Sequence, residues 1–488
     1  MTMLTRLQPS RLWTFFAQIC QIPHPSKQEQ TLSDWIASLV ATQKLSLKSD
    51  AKGNLLISKA ATAGMEQRQS VILQAHLDMV PQASNGHDFS CDPIQPYIDG
   101  NWVRAKGTTL GADNGIGVAA CLAILTDPSL KHGPLEVLFT VDEEAGMGGA
   151  FALQPDWLQG KILINTDAEQ DGDIYMGCAG GLEAKLCFEL TFEPSPADYK
   201  TYQIQISGLR GGHSGLDIHE GRGNANQLLC RTLFRMQQAL PIRISALNGG
   251  TLRNAIPREA SALVSIPTEK QHELTMWLAQ EAQLLTKEFQ HSDTDLQLVV
   301  AHAPSAELVL TQNCQQQLLA GLVALPNGVI SMSHAVKGVV ETSTNMGIIK
   351  TEGTTLTAIS FVRSLTDEGR WHLRSSFSAI ADLSGAQCLF SGDYSGWAPE
   401  PNSPIMQITQ QQHQRLFGNK ANIMVIHAGL ECGLFKKAYP DLDMVSIGPT
   451  IKGAHSPEER VSIPSVERFW QLLTATLAAI PTEEQALN

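Results

Sequence analysis

The sequence lacks paired cysteines. Its nine cysteines are scattered singly, no two of them form a C-x-x-C pair, and their number is odd. A disulfide framework normally shows an even set of cysteines at regular spacings. We therefore expect free thiols and a reducing compartment.

The sequence also lacks an excess of positive charge and any long apolar run. Its 35 Lys and Arg residues are outnumbered by 48 Asp and Glu residues, which gives a formal net charge of -13. This balance argues against a nucleic-acid partner and against binding to an anionic membrane surface. No uninterrupted apolar run approaches the roughly 20 residues that a transmembrane helix needs.

The apolar segment near the N-terminus, "LWTFFAQICQI", is short, contains glutamine, and is not followed by a small-residue cleavage site. These features favour a buried amphipathic helix over a signal peptide. We therefore expect a cytoplasmic protein with no membrane partner.

With 488 residues the chain is too long for one ordinary core, so two or three domains are expected. In the first 180 residues helical spacing alternates with apolar strands, which is typical of an α/β domain with a largely buried sheet. Period-two strands follow, and the last hundred residues return to the first style, with "ANIMVIHAG" and "DMVSIGP" predicted as buried strands. We predict a discontinuous α/β domain of residues 1–181 and 393–488, with a mixed, mostly parallel sheet, and an inserted α+β domain of residues 182–392.

Several of the predicted strands run out into side chains that can bind a metal ion. Ligands bind beyond the carboxyl ends of the strands in α/β sheets, so these side chains are expected to converge. One such strand ends in three adjacent acids beginning at Asp142, whose mutual repulsion near a core indicates a positive partner. The candidate residues, with one more from the loop "TLGADNGIG", are His76, Asp78, Asp113, Glu143, Glu144, Asp167 and His455.

Imidazole and carboxylate ligands without cysteine suit zinc, with cobalt or manganese as alternatives. Their number suits two ions that share a carboxylate, roughly 3.5–4 Å apart. Each motif alone has a structural explanation. A strand histidine is often a core residue, an acid pair often starts a helix, and "AHSPEE" could begin a helix capped by Ser456. Five such features in a chain with no competing catalytic pattern favour the metal site.

The ordered motifs "HLDMV", "TLGADNGIG", "DEEAGMGG", "NTDAE", "GGHSG" and "GAHSPEE" resemble the clan of two-metal aminopeptidases and aminoacylases, and within it the aminoacyl-histidine dipeptidase family. The motifs run from "IPHPSKQE" near the N-terminus to "GAHSPEERV" near the end, so the resemblance covers nearly the whole chain. It implies a zinc-peptidase-like catalytic domain, an inserted lid or dimerisation domain, two zinc ions per subunit and a homodimer. It also implies hydrolysis of unblocked dipeptides, including Xaa-His and carnosine-like substrates.

Carried over residue by residue, the resemblance implies one zinc on His76, Asp113 and Asp167 and the other on Asp113, Glu144 and His455. Asp113 would bridge the two ions, and in this family the peptide bond after that aspartate is often cis. Glu143 would be the general base. Asp78 would orient the imidazole of His76.

The predicted insertion offers groups for the substrate. By resemblance, His213 in the glycine-rich loop "GLRGGHSG" is an oxyanion donor, and "GGTLRNAIP" offers Asn254. Arg363, near the end of a predicted strand, can bind a peptide carboxylate in bidentate fashion, with a surface salt bridge as the alternative.

The loop "HAGLECG" offers two more candidates. By resemblance, Gly429 lets the backbone approach the substrate. Glu431 is a candidate clamp for the α-ammonium of a dipeptide, or else an acid in the first turn of a helix. An arginine and an acid at opposite ends of a small site would select substrates of dipeptide length. We interpret His219 and His427 as structural.

Two other classes of function stay open. An N-acyl amino acid deacylase or a tripeptidase of the same clan would keep the metals and change the substrate. A metal-binding scaffold would keep the fold without turnover. Glu143 argues against the scaffold, because a protein that only binds has no need of a base beside a complete set of ligands.

Overall fold

A computed structural model describes residues 3–486 of the chain. The strands, in chain order, are β1 (Ser46–Ser49), β2 (Leu55–Lys59), β3 (Val71–His76), β4 (Pro96–Asp99), β5 (Trp102–Ala105), β6 (Leu135–Thr140), β7 (Ile162–Asn165), β8 (Asp173–Cys178), β9 (Gly180–Glu189), β10 (Phe192–Pro194), β11 (Tyr199–Ser207), β12 (Gly212–His213), β13 (Arg243–Gly249), β14 (Ala255–Ile256), β15 (Ala260–Pro267), β16 (Gln297–His302), β17 (Leu308–Leu310), β18 (Gly328–Met332), β19 (Val340–Glu352), β20 (Thr355–Ser364), β21 (Gln387–Tyr394), β22 (Asn422–Ile426), β23 (Asp443–Ser446), β24 (Ile451–Lys452) and β25 (Arg460–Ser462).

The α-helices are α1 (Ser10–Ile19), α2 (Gln30–Thr42), α3 (Ala112–Thr126), α4 (Gly148–Ala152), α5 (Ala225–Ala239), α6 (Gln271–Glu288), α7 (Gln312–Ala324), α8 (Asp367–Ser384), α9 (Pro404–Phe417), α10 (Glu431–Ala438), α11 (Ile463–Ala479) and α12 (Glu483–Ala486). Short 3-10 helices lie at Met3–Arg6, Ile218–Glu220 and Thr268–Lys270. Among these described helices, none combines the length and the apolar character that crossing a membrane requires.

The described chain divides into two compact units. The first contains the described residues up to Gly177, then Pro399–Val425, and the described residues from Leu430 onward. The second contains Cys178–Ala398 and Ile426–Gly429. The segment that the sequence assigns to the insertion, residues 182–392, lies within the second unit.

The first unit is built on a mixed sheet with the strand order β1-β2-β6-β3-β7-β23-β8-β22. The central strands β6, β3, β7 and β23 run parallel, whereas β2 pairs antiparallel with β1 and β6, and β8 pairs antiparallel with β23. β3, β6 and β7 are rich in Val, Ile and Leu and buried along their whole length, as strands covered by helices on both faces are. The predicted α/β fold with a mixed sheet is therefore confirmed, and this central block consists of parallel pairs.

Helix α3 packs against β3, and α1 packs against α3. The small residues of α3 allow this close approach. A Cβ atom at Gly115 would lie 3.1 Å from the ring of Phe16 in α1, and one at Gly117 would clash with Asn114 and with Thr166, which follows β7. Because β3, β6 and β7 are parallel, they end at the same edge of the sheet, and the loops that follow them lie close together.

The second unit is built on an antiparallel sheet with the order β16-β11-β15-β13-β19-β20-β9-β21, and β18 also pairs with β19. Along β9 the burial alternates, which leaves one face for a core. Helices α5 and α8 pack on the sheet and α7 packs against both helices. Leu228, Leu319 and Phe377 of these helices are fully or almost fully buried in that core.

Two readings of the sequence are wrong in detail. The segment "ANIMVIHAG" was expected to be a buried strand, but β22 is an edge strand in which Asn422 is exposed and Met424 is 37% exposed. The segment "AHSPEE" does not begin a helix: the chain turns there and continues into β25, so the capping alternative for Ser456 is excluded.

Candidate active site

Two groups of three side chains with one residue in common meet at the edge where the parallel strands of the first unit end, and a third group consists of His76, Glu143 and Glu144. In each group the potential donor atoms lie within 4.8 Å of one another, and Asp113 belongs to both. The first group is His76, Asp113 and Asp167, and the second is Asp113, Glu144 and His455. The structure thus brings together the five residues that the sequence predicts as metal ligands.

Asp113 stands between the two histidines. Its Oδ1 lies 3.1 Å from Nε2 of His76, and its Oδ2 lies 3.3 Å from Nε2 of His455. Asp167 Oδ1 is also 3.1 Å from His76 Nε2, and Glu144 Oε1 is 2.9 Å from His455 Nε2. Each imidazole therefore faces two carboxylates, one of which is shared.

The local backbone explains how each side chain reaches this place. His76 is the last residue of β3, and Asp167 follows the end of β7 by two residues. Asp113 lies in a break near the start of α3, with φ -83° and ψ 104°, and its peptide bond to Asn114 is cis, as the resemblance led us to expect. His455 occupies a left-handed position, φ 62°, in the turn between β24 and β25.

Asp78 connects His76 to the acidic loop. His76 Nδ1 lies 3.0 Å from the backbone oxygen of Asp78, which can only accept, so Nδ1 carries a hydrogen and Nε2 is the atom left for a metal. The Asp78 carboxylate accepts hydrogen bonds from the backbone N–H groups of Glu143 and Glu144 at 2.9 and 3.0 Å and from the hydroxyl of Ser26. Although burial opposes it, these contacts and His76 lower the pKa of Asp78 to about 2.

The site concentrates negative charge. The side chains of Asp113, Glu144 and Asp167 are only 10%, 8% and 10% exposed. Burial raises the pKa of Asp167 to about 6. Burial by itself lowers the pKa of His76, but the charge of Asp167 and hydrogen bonds to the carboxylates outweigh it and raise that pKa well above its ordinary value.

The carboxylates also favour the protonated form of His455. Its hydrogen bonds to Asp113 and Glu144 raise its pKa to about 11. Buried carboxylates need a cation among them, and the donor set of two imidazoles and three carboxylates has the chemistry of a zinc, cobalt or manganese site. The residues present therefore fit a metal centre.

Glu143 lies beside both groups. A carboxylate oxygen of Glu143 lies within 4.8 Å of donor atoms of His76 and Glu144. Burial, followed by the charges of Asp167 and Glu144, raises the pKa of Glu143 well above its ordinary value, against the opposing effect of His76. α4 begins only at Gly148, so Glu143 and Glu144 lie in a loop and are not first-turn helix acids.

Two carboxylates that the sequence did not single out hold the loops of this site. Glu29 Oε1 accepts hydrogen bonds from the backbone N–H groups of Lys27 and Asp142, at 2.8 and 3.0 Å. Glu459 accepts hydrogen bonds from the loop of Asp113. Both residues lie in motifs that carry the family resemblance, "IPHPSKQE" and "GAHSPEE". Those motifs are the sequence signal that could have identified them.

The sequence predicts a substrate ammonium as the partner of Glu431, but its hydrogen-bond partners in the structure are side chains of the protein. Glu431 is 1% exposed, and its Oε2 accepts hydrogen bonds from Gln74 Nε2 at 2.6 Å and Thr140 Oγ1 at 2.7 Å. Burial raises the pKa of Glu431 to about 8. Because Gln74 lies in β3 and Thr140 ends β6, the contacts of Glu431 are those of a group that ties together the strands beneath the site.

In the second unit, His213 and Arg363 are neighbours. His213 Nδ1 accepts hydrogen bonds from the backbone N–H groups of Gly215 and Leu216, at 3.2 and 2.9 Å, so the hydrogen of the neutral ring is on Nε2. Nη2 of Arg363 lies 3.3 Å from this Nε2. Burial, and then the charge of Arg363, lowers the pKa of His213 to about 4, which keeps the ring neutral at pH 7. Two donors thus stand side by side.

The other predicted substrate residues of the second unit have less distinctive surroundings. Asn254 is exposed, and its backbone oxygen accepts a hydrogen bond from the Ser214 N–H, which places it beside the loop of His213. We expected Gly429 to belong to the metal-binding unit. The short segment Ile426–Gly429 groups with the second unit instead.

The buried position of His427 leads us to expect that the free energy of unfolding depends on pH. Burial, and then the charge of Arg363, lowers the pKa of His427 to about 3, whereas an unfolded histidine titrates near 6.5. The unfolded chain therefore binds this proton first, and stability is lost as the pH falls from about 6.5 toward 3.

The variant His427→Gln tests this effect, since glutamine can keep a hydrogen bond to Ser343, whose Oγ lies 2.8 Å from His427 Nε2, and cannot titrate. We expect the thermal midpoint of the wild type to fall more steeply between pH 7 and pH 4.5 than that of the variant. Equal slopes in the two proteins would contradict the lowered pKa.

Comparisons with known proteins find similar sequences over almost the whole chain. Residues 72–479 match the family model "Peptidase family M20/M25/M40". The chain is 49% identical over 485 residues to the cytosol non-specific dipeptidase of Escherichia coli K12, covering 99% of this chain and 100% of the relative.

Solved structures give the same result. The aminoacylhistidine dipeptidase of Vibrio alginolyticus superposes with a TM-score of 0.93 at 50% identity, over 99% of each chain. A tripeptidase from Staphylococcus aureus, at 15% identity and a TM-score of 0.56, covers 97% of this chain and 99% of its own and shares the fold. The chain belongs to peptidase family M20/M25/M40.

Proposed function

We propose that this peptidase is a metal-dependent dipeptidase that hydrolyses unblocked dipeptides, Xaa-His among them, with two zinc ions per subunit. The observation that carries the proposal is the pair of three-residue groups that share Asp113, with Glu143 beside them. A single-ion site would need only one such group.

In this proposal His76, Asp113 and Asp167 would hold one ion, and Asp113, Glu144 and His455 would hold the other. The hydrogen on His76 Nδ1 and the two carboxylates at its Nε2 support this assignment. Bound ions would act as Lewis acids that polarise the scissile carbonyl and acidify the attacking water. Zinc fits the donor set best, and cobalt or manganese fits the same ligands.

Glu143 has the role of general base. Its carboxylate takes a proton from the attacking water and passes it to the departing amine. Its partly buried position supports this role, because the loss of hydration disfavours the charged form and raises the pKa of the carboxylate well above its ordinary value. Asp78 holds the backbone N–H of Glu143 and the His76 ring, so it orients both partners in the reaction.

Arg363 and His213 have the role of binding negative charge on the substrate. We assign the free carboxylate of the dipeptide to Arg363 and the developing oxyanion to Nε2–H of His213. Their position side by side, with no carboxylate of the described residues in an ion pair with Arg363, supports an anionic ligand there. We include Asn254 and Gly429 among the substrate-binding residues because their motifs resemble those of the family. We leave out Glu431 because its carboxylate accepts hydrogen bonds from Gln74 and Thr140.

The names of the two relatives, at 49% and 50% identity over nearly the whole chain, support dipeptides as substrates and histidine as an accepted second residue. The name of the Escherichia coli relative also supports a cytoplasmic location. The family resemblance supports a homodimer, which a solution mass of twice 52.9 kDa would establish.

The test of this function compares a free Xaa-His dipeptide with its N-acetyl form, using zinc-reconstituted protein and metal-free protein as the control. We expect kcat/KM for the free dipeptide to be higher by at least about tenfold, which corresponds to roughly 1.4 kcal/mol, and we expect no turnover without metal. Preference for the acetylated form would identify a deacylase. A tripeptide measured alongside tests the remaining alternative.

A further inference from the structure

We propose that Glu459 is a positioning residue, which sets the place of Asp113 by binding the backbone of its loop and so aligns the shared aspartate with His455. The inference rests on the metal centre of the proposed function. Glu459 lies four residues after His455, in the same connection between β24 and β25, and it is 2% exposed.

The carboxylate of Glu459 accepts hydrogen bonds from four consecutive backbone N–H groups. Its Oε2 lies 2.7 Å from the nitrogen of Leu110 and 3.0 Å from that of Gly111. Its Oε1 lies 2.8 Å from the nitrogen of Ala112 and 3.3 Å from that of Asp113. Both oxygens are therefore used by the loop.

These four amides need an outside acceptor. The first N–H groups of a helix have no intrahelical partner, and a carboxylate there gains both charge-assisted hydrogen bonds and the favourable end of the helix dipole. The loop is also irregular, since Gly111 has φ 68° and Asp113 departs from helical angles. Regular secondary structure alone does not fix its course, so the contacts with Glu459 define where Asp113 lies.

The position of Asp113 matters for both ligand groups at once, because its two oxygens face the two imidazoles. His455 is carried by the same short segment as Glu459, whose N–H donates to the Ser456 oxygen at 3.0 Å. One segment therefore supplies a metal ligand, His455, and also binds the backbone of the loop that carries Asp113. A displacement of that loop would loosen both ions together.

The test uses Glu459→Gln and Glu459→Asp, with Glu458→Gln as the matched control. Glutamine keeps the size of the side chain but turns an NH2 group toward two of the four donors. Aspartate keeps the charge and shortens the reach. Glu458 is the adjacent residue, 74% exposed and paired with Arg104 at 3.3 Å. Zinc affinity is measured by chelator competition, folding by circular dichroism, and kcat and KM separately with a free dipeptide.

We expect Glu459→Gln to stay folded and to raise the zinc dissociation constant by about tenfold or more, within the range for groups that orient metal ligands. We expect kcat to fall in parallel while KM stays within about twofold, since the proposed substrate groups are separate residues. Glu459→Asp should recover part of the loss, and Glu458→Gln should match the wild type.

A folded Glu459→Gln protein with wild-type zinc affinity and kcat would overturn the inference. Unfolding of both Glu459 variants under conditions where Glu458→Gln folds would also overturn it, because the residue would then support the whole unit and not this loop. Wild-type protein that binds zinc but cleaves no dipeptide would refute the proposed function alone, and the zinc comparison would still decide the role of Glu459.

Discussion

Replacement of Glu143 by glutamine should lower kcat by about 10³-fold, inside the range of roughly 10²–10⁴ for the loss of a general base. Zinc content and KM should change little, because the two ligand groups that share Asp113 do not include Glu143. The physical reason is that an amide has the shape of the carboxylate but cannot accept the proton of the attacking water. Steady-state kinetics on zinc-loaded protein, with metal content measured on the same sample, provide the test.

Asp142→Asn is the matched control for this variant. Asp142 is the preceding acid, its carboxylate lies 3.5 Å from Lys52 Nζ, and its backbone has φ 58°, which asparagine tolerates well. We expect its kcat to stay within a few fold of the wild type. Similar losses for Asp142→Asn and Glu143→Gln would mean that the loop needs its charge as a whole, and Glu143 would lose its assigned role.

Replacement of Asp113 by alanine should remove both ions and lower kcat/KM by about 10³-fold or more. Metal ions contribute several kcal/mol of transition-state stabilisation, and each 1.36 kcal/mol is a factor of ten in rate. The loss of both ions follows from the place of Asp113 in both groups. The zinc content of the folded variant, after equilibration in a zinc-buffered solution, provides the measurement.

Asp167→Ala separates the shared ligand from an unshared one. Asp167 contacts only His76 of the two histidines, so its loss should weaken one ion and leave the other. The expected order of zinc content is wild type, then Asp167→Ala, then Asp113→Ala. Two ions retained by Asp113→Ala would contradict a bridging position, as would equal losses in the two variants.

The sequence could predict the convergence of the ligands because a simple rule places them. β3, β6 and β7 are buried apolar runs, their parallel pairing brings their ends to one edge, and the metal-competent side chains follow directly. His76 and Asp167 come from such strand ends. Asp113 does not. It was a candidate as an acid in the loop "TLGADNGIG", and its place between two ions depended on the resemblance, because its backbone is an irregular break in a helix.

What the sequence could not supply were contacts between a side chain and the backbone of a distant loop. Glu459 and Leu110 are 349 residues apart, and no local pattern marks an N–H group that lacks a partner. Glu431 shows the same limit. Its place at the first position of α10 was foreseen as an alternative, but its burial against Gln74 and Thr140 depends on the order of strands in the sheet. Periodicity also failed for β22, because apolar residues occur on edge strands as well.

Anomalous scattering from a crystal of the zinc-loaded protein, measured on both sides of the zinc absorption edge, tests most directly whether Asp113 lies between two ions. We expect two zinc peaks roughly 3.5–4 Å apart, one on each side of the Asp113 carboxylate, with His76 at one and His455 at the other. A single zinc peak at full occupancy, or two peaks without Asp113 between them, would contradict a two-ion centre built on a shared aspartate.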